Sequence, residues 1–119
     1  MKVVRSADSQ PFTARDGSEI RELARPPASA QNQSLAEATV PPGSETTEHF
    51  HRTSEEIYYF LSGSGRMRLG DEVSAVQAGD VVVITPGARH KLWNPGDEPL
   101  VLLCCCAPPY TDGDTVLTE

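Results

Sequence analysis

Three side chains with metal-binding donor atoms lie close together in the sequence. His49 and His51 are separated by one residue, and Glu56 follows after a short gap. Residues i and i+2 of a β-strand share a face roughly 6.6 Å apart, so two imidazoles at this spacing can converge on one ion. Glu56 follows a short turn, on a segment that can run back beside the first strand. His90, the third and last histidine, must come from a distant strand.

The chemistry of these four donors indicates a transition metal. Three imidazoles and one carboxylate, without a thiolate, suit Fe²⁺, Mn²⁺, Ni²⁺, Cu²⁺, Co²⁺ or Zn²⁺, and we expect one such ion as the cofactor. Four protein ligands leave two octahedral positions open for water, substrate or dioxygen. Glu55 is the alternative carboxylate if the register of this segment differs by one residue.

The elements that must position these donors are short strands separated by turns. Ten prolines and nine glycines favour many short elements over long helices. Phe12 to Leu23 can form one or two short strands around an Asp16-Gly17 turn, and residues 25–34 read as a loop. The pattern then predicts strands at 34–40, 47–51, 56–61, 66–69, 72–76, 81–84, 90–93 and 100–106, the last ended by Pro108-Pro109. Such spacing is typical of an all-β barrel or sandwich.

Both donor segments resemble the two cupin motifs. The stretch from Gly43 to Gly63 matches GxxxxxHxHxxxxExxxxxxG at every defined position. The stretch from Gly79 to Asn94 matches GxxxxxPxGxxHxxxN except at Thr85, where the family usually has proline. The resemblance covers about residues 35 to 107 and implies a double-stranded β-helix (jelly-roll) barrel. It also implies that the metal ligands are His49, His51, Glu56 and His90, and that Asn94 is structural.

Two regions follow from this resemblance. We expect residues 35–119 to form the cupin barrel. Residues 1–34 would form an N-terminal extension with short strands that takes part in a dimer interface.

Strand alternation sorts the neighbours of the donors into two faces. If Glu56 faces inward, so do Tyr58 and Phe60, and Met67 and Leu92 face inward on their own strands. These four residues, Tyr58, Phe60, Met67 and Leu92, are candidates to line a substrate cavity, and the alternative for each is ordinary barrel filling. Glu56 and Tyr58 are the candidate catalytic acid or base groups, since every histidine is assigned to the metal.

The opposite faces carry more apolar surface than a monomer leaves in contact with water. We therefore predict a homodimer, in which residues 18–24 are the candidate for an exchanged strand, as small cupins commonly show. The predicted outward apolar set consists of Phe50, Ile57, Tyr59, Leu61 and Trp93.

The three cysteines, Cys104, Cys105 and Cys106, are consecutive and form no disulfide framework. Alternation puts Cys104 and Cys106 on one face and Cys105 on the other, without indicating which face is inward. They read either as small buried hydrophobic residues or as thiols near the site.

Charge and composition limit the possible partners. The net charge of −7 disfavours nucleic acids and anionic membranes, which bind basic surfaces. The longest apolar run, residues 100–107, is too short to cross a bilayer, and no secretory signal is evident, so we expect a cytoplasmic protein whose partner is a small molecule.

Two functions are consistent with these features. The first is a small metalloenzyme of dioxygenase, isomerase or lyase type that acts on a small organic molecule. The second is a non-catalytic module that uses the metal to bind or sense a small molecule, since fold alone does not determine function.

Overall fold

The computed structural model describes all 119 residues, and its regular secondary structure is almost entirely β-strand. The eleven strands are β1 (Phe12–Thr13), β2 (Glu19–Ala24), β3 (Ser34–Val40), β4 (His49–His51), β5 (Glu55–Ser62), β6 (Ser64–Leu69), β7 (Glu72–Gln77), β8 (Val81–Ile84), β9 (His90–Trp93), β10 (Leu100–Ala107) and β11 (Thr115–Leu117). Two short 3₁₀ turns, Ser6–Asp8 and Asp112–Asp114, complete the structure. The prediction of an all-β fold is confirmed. No helix has the length and apolar character that crossing a bilayer requires.

The strands form two antiparallel sheets that enclose the core. One sheet has the order β1-β2-β3-β10-β5-β8, and the other has the order β11-β4-β9-β6-β7. The two sheets do not close into one continuous hydrogen-bonded barrel. Their inner faces supply a cluster of buried apolar side chains: Ala38, Val40, Tyr58, Phe60, Met67, Val76, Ile84, Leu92, Leu100 and Leu102.

Strand β5 shows the predicted alternation. Glu56, Tyr58 and Phe60 are buried, whereas the side chains between them are exposed. Glu55 is exposed at the start of this strand, which removes it as a candidate for an inward-facing donor. The register of the first motif is therefore the one that its spacing predicts.

The N-terminal segment belongs to the first sheet. Strand β2 pairs with β3 of the same chain, with Glu19 opposite Thr39 and Ile20 opposite Ala38. Exchange of this strand between subunits remains a prediction.

Strand β11 corrects the prediction that the strand ending before Pro108-Pro109 is the last. Residues 115–117 pair with β4, with Thr115 opposite His51 and Leu117 opposite His49. A three-residue strand is too short to show a readable alternation, which is why the sequence pattern misses it.

Two motif residues shape turns and touch none of the donors. The Asn94 side-chain amide donates to the carbonyls of Val40 (2.9 Å) and Glu98 (2.8 Å), which confirms its structural role. Gly63 has φ +81°, and a Cβ there would lie 2.3 Å from the Pro99 carbonyl oxygen. Glycine is therefore required at this position, both for the left-handed backbone and for the close approach.

Candidate metal centre and cavity

The three histidines meet on the inner face of the second sheet. Strand β4 carries His49 and His51 on one face, and the pairing of His49 with His90 brings β9 alongside. Each ring has one nitrogen within 4.8 Å of a nitrogen on the others, and all three side chains are buried. The topology thus gathers every histidine of the chain at one point, as the spacing predicts.

Glu56 approaches the same point from the opposite sheet. Its Oε1 lies 3.1 Å from Nε2 of His51 and 3.4 Å from Nε2 of His90. The side chain is buried, with 4% of its surface exposed. All four predicted donors therefore lie together in the structure.

The hydrogen bonds behind two of the rings define which nitrogen faces the centre. Nδ1 of His49 donates to the Thr47 carbonyl (2.8 Å), and Nδ1 of His90 donates to the Ala88 carbonyl (3.0 Å). Because a carbonyl oxygen only accepts, each Nδ1 carries a proton. In each neutral ring the free lone pair then lies on Nε2, as it does in histidines that bind a metal through this atom.

The ring of His51 is held by a side chain from the C-terminal strand. The Thr115 hydroxyl donates to the Thr111 carbonyl (3.0 Å), so its oxygen accepts from Nδ1 of His51 (2.9 Å). The sequence analysis missed Thr115, which belongs to neither motif and lies on the unpredicted β11. The only signal for it was a threonine within a short β-branched stretch.

This arrangement requires positive charge at its centre. Neutral Nε2 lone pairs and a carboxylate oxygen are all acceptors, and Nε2 of His90 is buried without a hydrogen-bond partner. Burial, followed by the nearby charge of His90, lowers the pKa of His49, which disfavours protonating every ring. Burial alone would raise the pKa of Glu56, but the imidazoles of His51 and His90 beside it outweigh burial and hold this pKa below its ordinary value. Three imidazole nitrogens and one oxygen of the ionised Glu56 carboxylate together fit a divalent transition metal.

Two of the cysteines also face the interior. Sγ of Cys106 lies 3.1 Å from Oε2 of Glu56, and Cys104 lines the adjacent cavity, whereas Cys105 points to the other face. Burial, followed by the charge of Glu56, raises the pKa of both inward thiols, which therefore remain protonated at neutral pH. Cys106 is a neutral hydrogen-bond donor to Glu56, a contact that the sequence analysis left open.

A cavity of about 640 Å³ opens beside the centre. Of the four residues predicted to line it, Tyr58 and Leu92 do so. Phe60 and Met67 lie instead in the packed core, 0% and 3% exposed, because their strand positions place them beyond the cavity wall. For these two residues the structure matches the alternative of barrel filling.

The mouth of the cavity is built by the two ends of the chain. The N-terminal residues 12–26 supply one side, and residues 109–115 supply another. The Tyr110 ring lies edge-on to His51, with 5.7 Å between ring centroids. Sequence analysis assigned none of these residues to the site, since they lie outside both motifs.

Comparison with known proteins now identifies the family. The family model described as a cupin domain matches residues 36–106, which include all four donors. The chain belongs to the cupin family.

Three relatives of this cupin illustrate its similarities. An uncharacterised protein of Methanocaldococcus jannaschii is 47% identical, over 100% of this chain and 98% of its own length. Protein SchB of Streptomyces halstedii is 33% identical, over 94% of this chain and 83% of its own. The crystal structure of a predicted oxalate decarboxylase from Thermotoga maritima superposes with a TM-score of 0.81 at 28% identity, covering 90% of this chain and 99% of that one. The double-stranded β-helix fold is thereby confirmed.

Proposed function

We propose that this cupin is a small metalloenzyme that acts on a small organic molecule at a mononuclear centre formed by His49, His51, Glu56 and His90. One observation carries the proposal. Three imidazoles, each with Nδ1 bonded behind it, bring one nitrogen each to within 4.8 Å of the others, and the buried Glu56 carboxylate lies beside Nε2 of His51 and His90. Building such a set without a metal would leave buried acceptors facing one another, which is costly.

The bound metal would supply Lewis-acid or redox chemistry of the dioxygenase, isomerase or lyase type. The side chains around it would orient the ligand and move protons. Burial, followed by the charge of Glu56, raises the pKa of Tyr58, so its hydroxyl keeps its proton and can donate a hydrogen bond to a ligand in the cavity. Glu56 is the ionised group nearest the centre and the candidate proton acceptor.

The test is removal and return of the metal. Purified protein is stripped with a chelator and reloaded with each divalent ion in turn. Oxygen uptake and product formation are then followed with small phenols, thiols, sugars and carbonyl acids. We expect turnover to vanish on stripping and to return with one preferred metal. Full turnover by metal-free protein contradicts the proposal, and metal-dependent ligand binding without turnover on any compound favours a binding or sensing module.

We also propose that the protein pairs with a second copy through the outer face of β5 and β8. Only part of the predicted outward apolar set is exposed on this face. Phe50 and Trp93 lie on the other sheet and are half-buried. The exposed patch therefore consists of Ile57 (38%), Tyr59 (43%), Leu61 (41%), Val81 (59%) and Val83 (50%), on the last two strands of the first sheet.

Light scattering tests this interface. The wild-type protein should show twice the mass of the 119-residue chain, and the double variant Tyr59→Lys/Val81→Lys should show the mass of a single chain. Val73→Lys, an equally exposed position on the other sheet, is the control and should stay dimeric. A wild-type monomer at micromolar concentration would rule out the pairing.

A further inference from the structure

We propose that the cavity selects a ligand with an apolar body, an oxygen donor at one end and at most one negative charge. This inference rests on the proposed metal centre and adds the class of molecule that it accepts. Two features of the cavity favour such a ligand, namely its apolar wall and the balance of charge around it.

The inner wall of the cavity is apolar. Aliphatic side chains from β2, β3, β9 and β10 face it, and these are Ile20, Ala36, Ala38, Val40, Leu92 and Leu102. Val40, Leu92 and Leu102 are at most 2% exposed, so their packing fixes the wall. Alanine at positions 36 and 38 leaves room where a larger residue would fill the space. A ligand that covers this wall gains roughly 25 cal/mol for each Å² of apolar surface removed from water.

The cationic residues at the cavity already have partners. Arg15 and Arg25 are its only basic side chains. Nη1 of Arg15 donates to the carbonyls of Asp112 (2.9 Å) and Thr115 (3.1 Å), and Nε of Arg25 lies 2.9 Å from Oε2 of Glu22. Arg25 is thus paired with a carboxylate, and Arg15 is held in place by two main-chain carbonyls.

Acidic side chains outnumber the basic ones around the same space. Four carboxylates line the cavity, from Asp16, Glu22, Glu56 and Asp112, against two guanidiniums. One divalent ion at the centre would only balance this excess. A ligand with two negative charges, such as oxalate, would therefore meet a wall whose carboxylates outnumber its guanidiniums.

The size of the cavity agrees with a larger ligand. A volume of about 640 Å³ lies within the range of roughly 300–1,000 Å³ that is typical of pockets for drug-sized molecules. Oxalate, in which two carboxylates are joined directly, would leave the apolar wall uncovered. The likeness to a predicted oxalate decarboxylase is therefore one of fold, whereas the cavity wall of this chain favours a different ligand.

A series of hydroxamates tests the inference, because every member binds a metal through the same oxygen pair. Zinc-loaded protein is titrated calorimetrically with acetohydroxamate, benzohydroxamate and 2-naphthohydroxamate. We expect affinity to rise along the series by about tenfold or more, following the added apolar area. Oxalate at equal concentration should not displace 2-naphthohydroxamate. An affinity that is flat or falls along the series, or displacement by oxalate, would overturn the inference.

Matched variants assign the effect to the wall. Ala38→Leu fills the cavity from β3, and it should reduce binding of 2-naphthohydroxamate about tenfold while acetohydroxamate binds as before. Ala75→Leu, at an exposed position on β7, is the control and should leave both affinities unchanged. If Ala38→Leu fails to fold, Ala36→Leu at the same wall replaces it, and an unchanged preference in the folded variant contradicts the assignment.

Zinc content separates the two levels of the proposal. Protein that holds no zinc and binds no hydroxamate contradicts the metal centre itself. Protein that holds zinc but shows no preference for the larger bodies contradicts only the ligand class.

Discussion

The deep end of the cavity and its mouth are built in different ways. All four donors at the deep end lie within residues 36–106, the part that matches the family model, and each is buried on a strand. The mouth is formed by residues 12–26 and 109–115, which lie outside the match. The contrast suggests that the family motifs set the chemistry at the centre, whereas the two ends of the chain govern access to it.

Thr115 is where these two regions meet. It belongs to the C-terminal segment, yet its hydroxyl oxygen accepts from Nδ1 of His51 at the centre. Substitutions on each side of the boundary therefore test how sharply chemistry and access are separated.

The largest effect is expected at the donors. His90→Ala removes one of the four donor atoms, so metal affinity should fall by at least about 100-fold. Glu56→Gln should also lose affinity strongly, whereas Glu55→Gln, at the exposed neighbouring position, should keep the metal content of the wild type. Metal analysis after dialysis measures all three. Loss of metal in the Glu55 variant alone would mean that the carboxylate has been assigned wrongly.

A second effect is expected from the C-terminal segment. Thr115→Val removes the acceptor behind His51, and loss of such an outer-shell partner typically costs about 10–100-fold in metal affinity. Thr115→Ser keeps the hydroxyl and should restore most of that affinity. Competition with a chromophoric chelator gives the values. Equal affinities for the valine variant and the wild type would show that the C-terminal segment acts only at the mouth.

A smaller effect is expected from the thiol beside Glu56. Cys106→Ala removes the hydrogen bond to Oε2 and should reduce metal affinity by roughly fivefold, about 1 kcal/mol. Cys105→Ser, on the opposite face, is the control and should change nothing. The same competition assay compares them. If Cys106→Ala abolishes metal binding, the thiol is a ligand and not a hydrogen-bond donor.

The last effect is on stability and concerns the turn that precedes Thr115. Burial acts to raise the pKa of Asp114, but the hydrogen bonds from Thr53 and Ser54 together outweigh it and hold this pKa below its ordinary value. A carboxylate with a depressed folded pKa stabilises the protein above its unfolded pKa, near 4, and this stabilisation is lost as pH falls through the folded value.

Urea unfolding of metal-free protein measures this contribution. Asp114→Asn should be less stable than the wild type by about 1–2 kcal/mol at pH 7, and the difference should shrink at a second, acidic pH at which the carboxyl group is protonated. Asp71→Asn, in the exposed turn between β6 and β7, is the control. A difference that stays constant between the two pH values would assign the effect to packing and not to charge.

The His49/His51 pair and the faces of β5 could be predicted because both depend on local spacing, whereas the place of His90 beside them was implied by the resemblance to the cupin motifs. The separation of His49 from His51 fixes a shared face, and alternation from Glu56 places Tyr58 inward. The cavity could not be predicted in the same way. Whether Phe60 lines the cavity or packs in the core depends on which strands of the other sheet face it. The role of Thr115 depends on a three-residue strand that forms only through its pairing with β4. Both depend on tertiary contacts, which the alternation of residues along a strand does not reveal.

X-ray absorption spectroscopy of zinc-loaded protein tests the central claim most directly. We predict one zinc per chain, surrounded only by nitrogen and oxygen at about 2.0–2.2 Å, with multiple-scattering features of histidine rings that weaken in His90→Ala. A sulfur shell at about 2.3 Å, or less than one zinc bound per chain at saturation, would contradict the assignment of His49, His51, Glu56 and His90 as the metal centre.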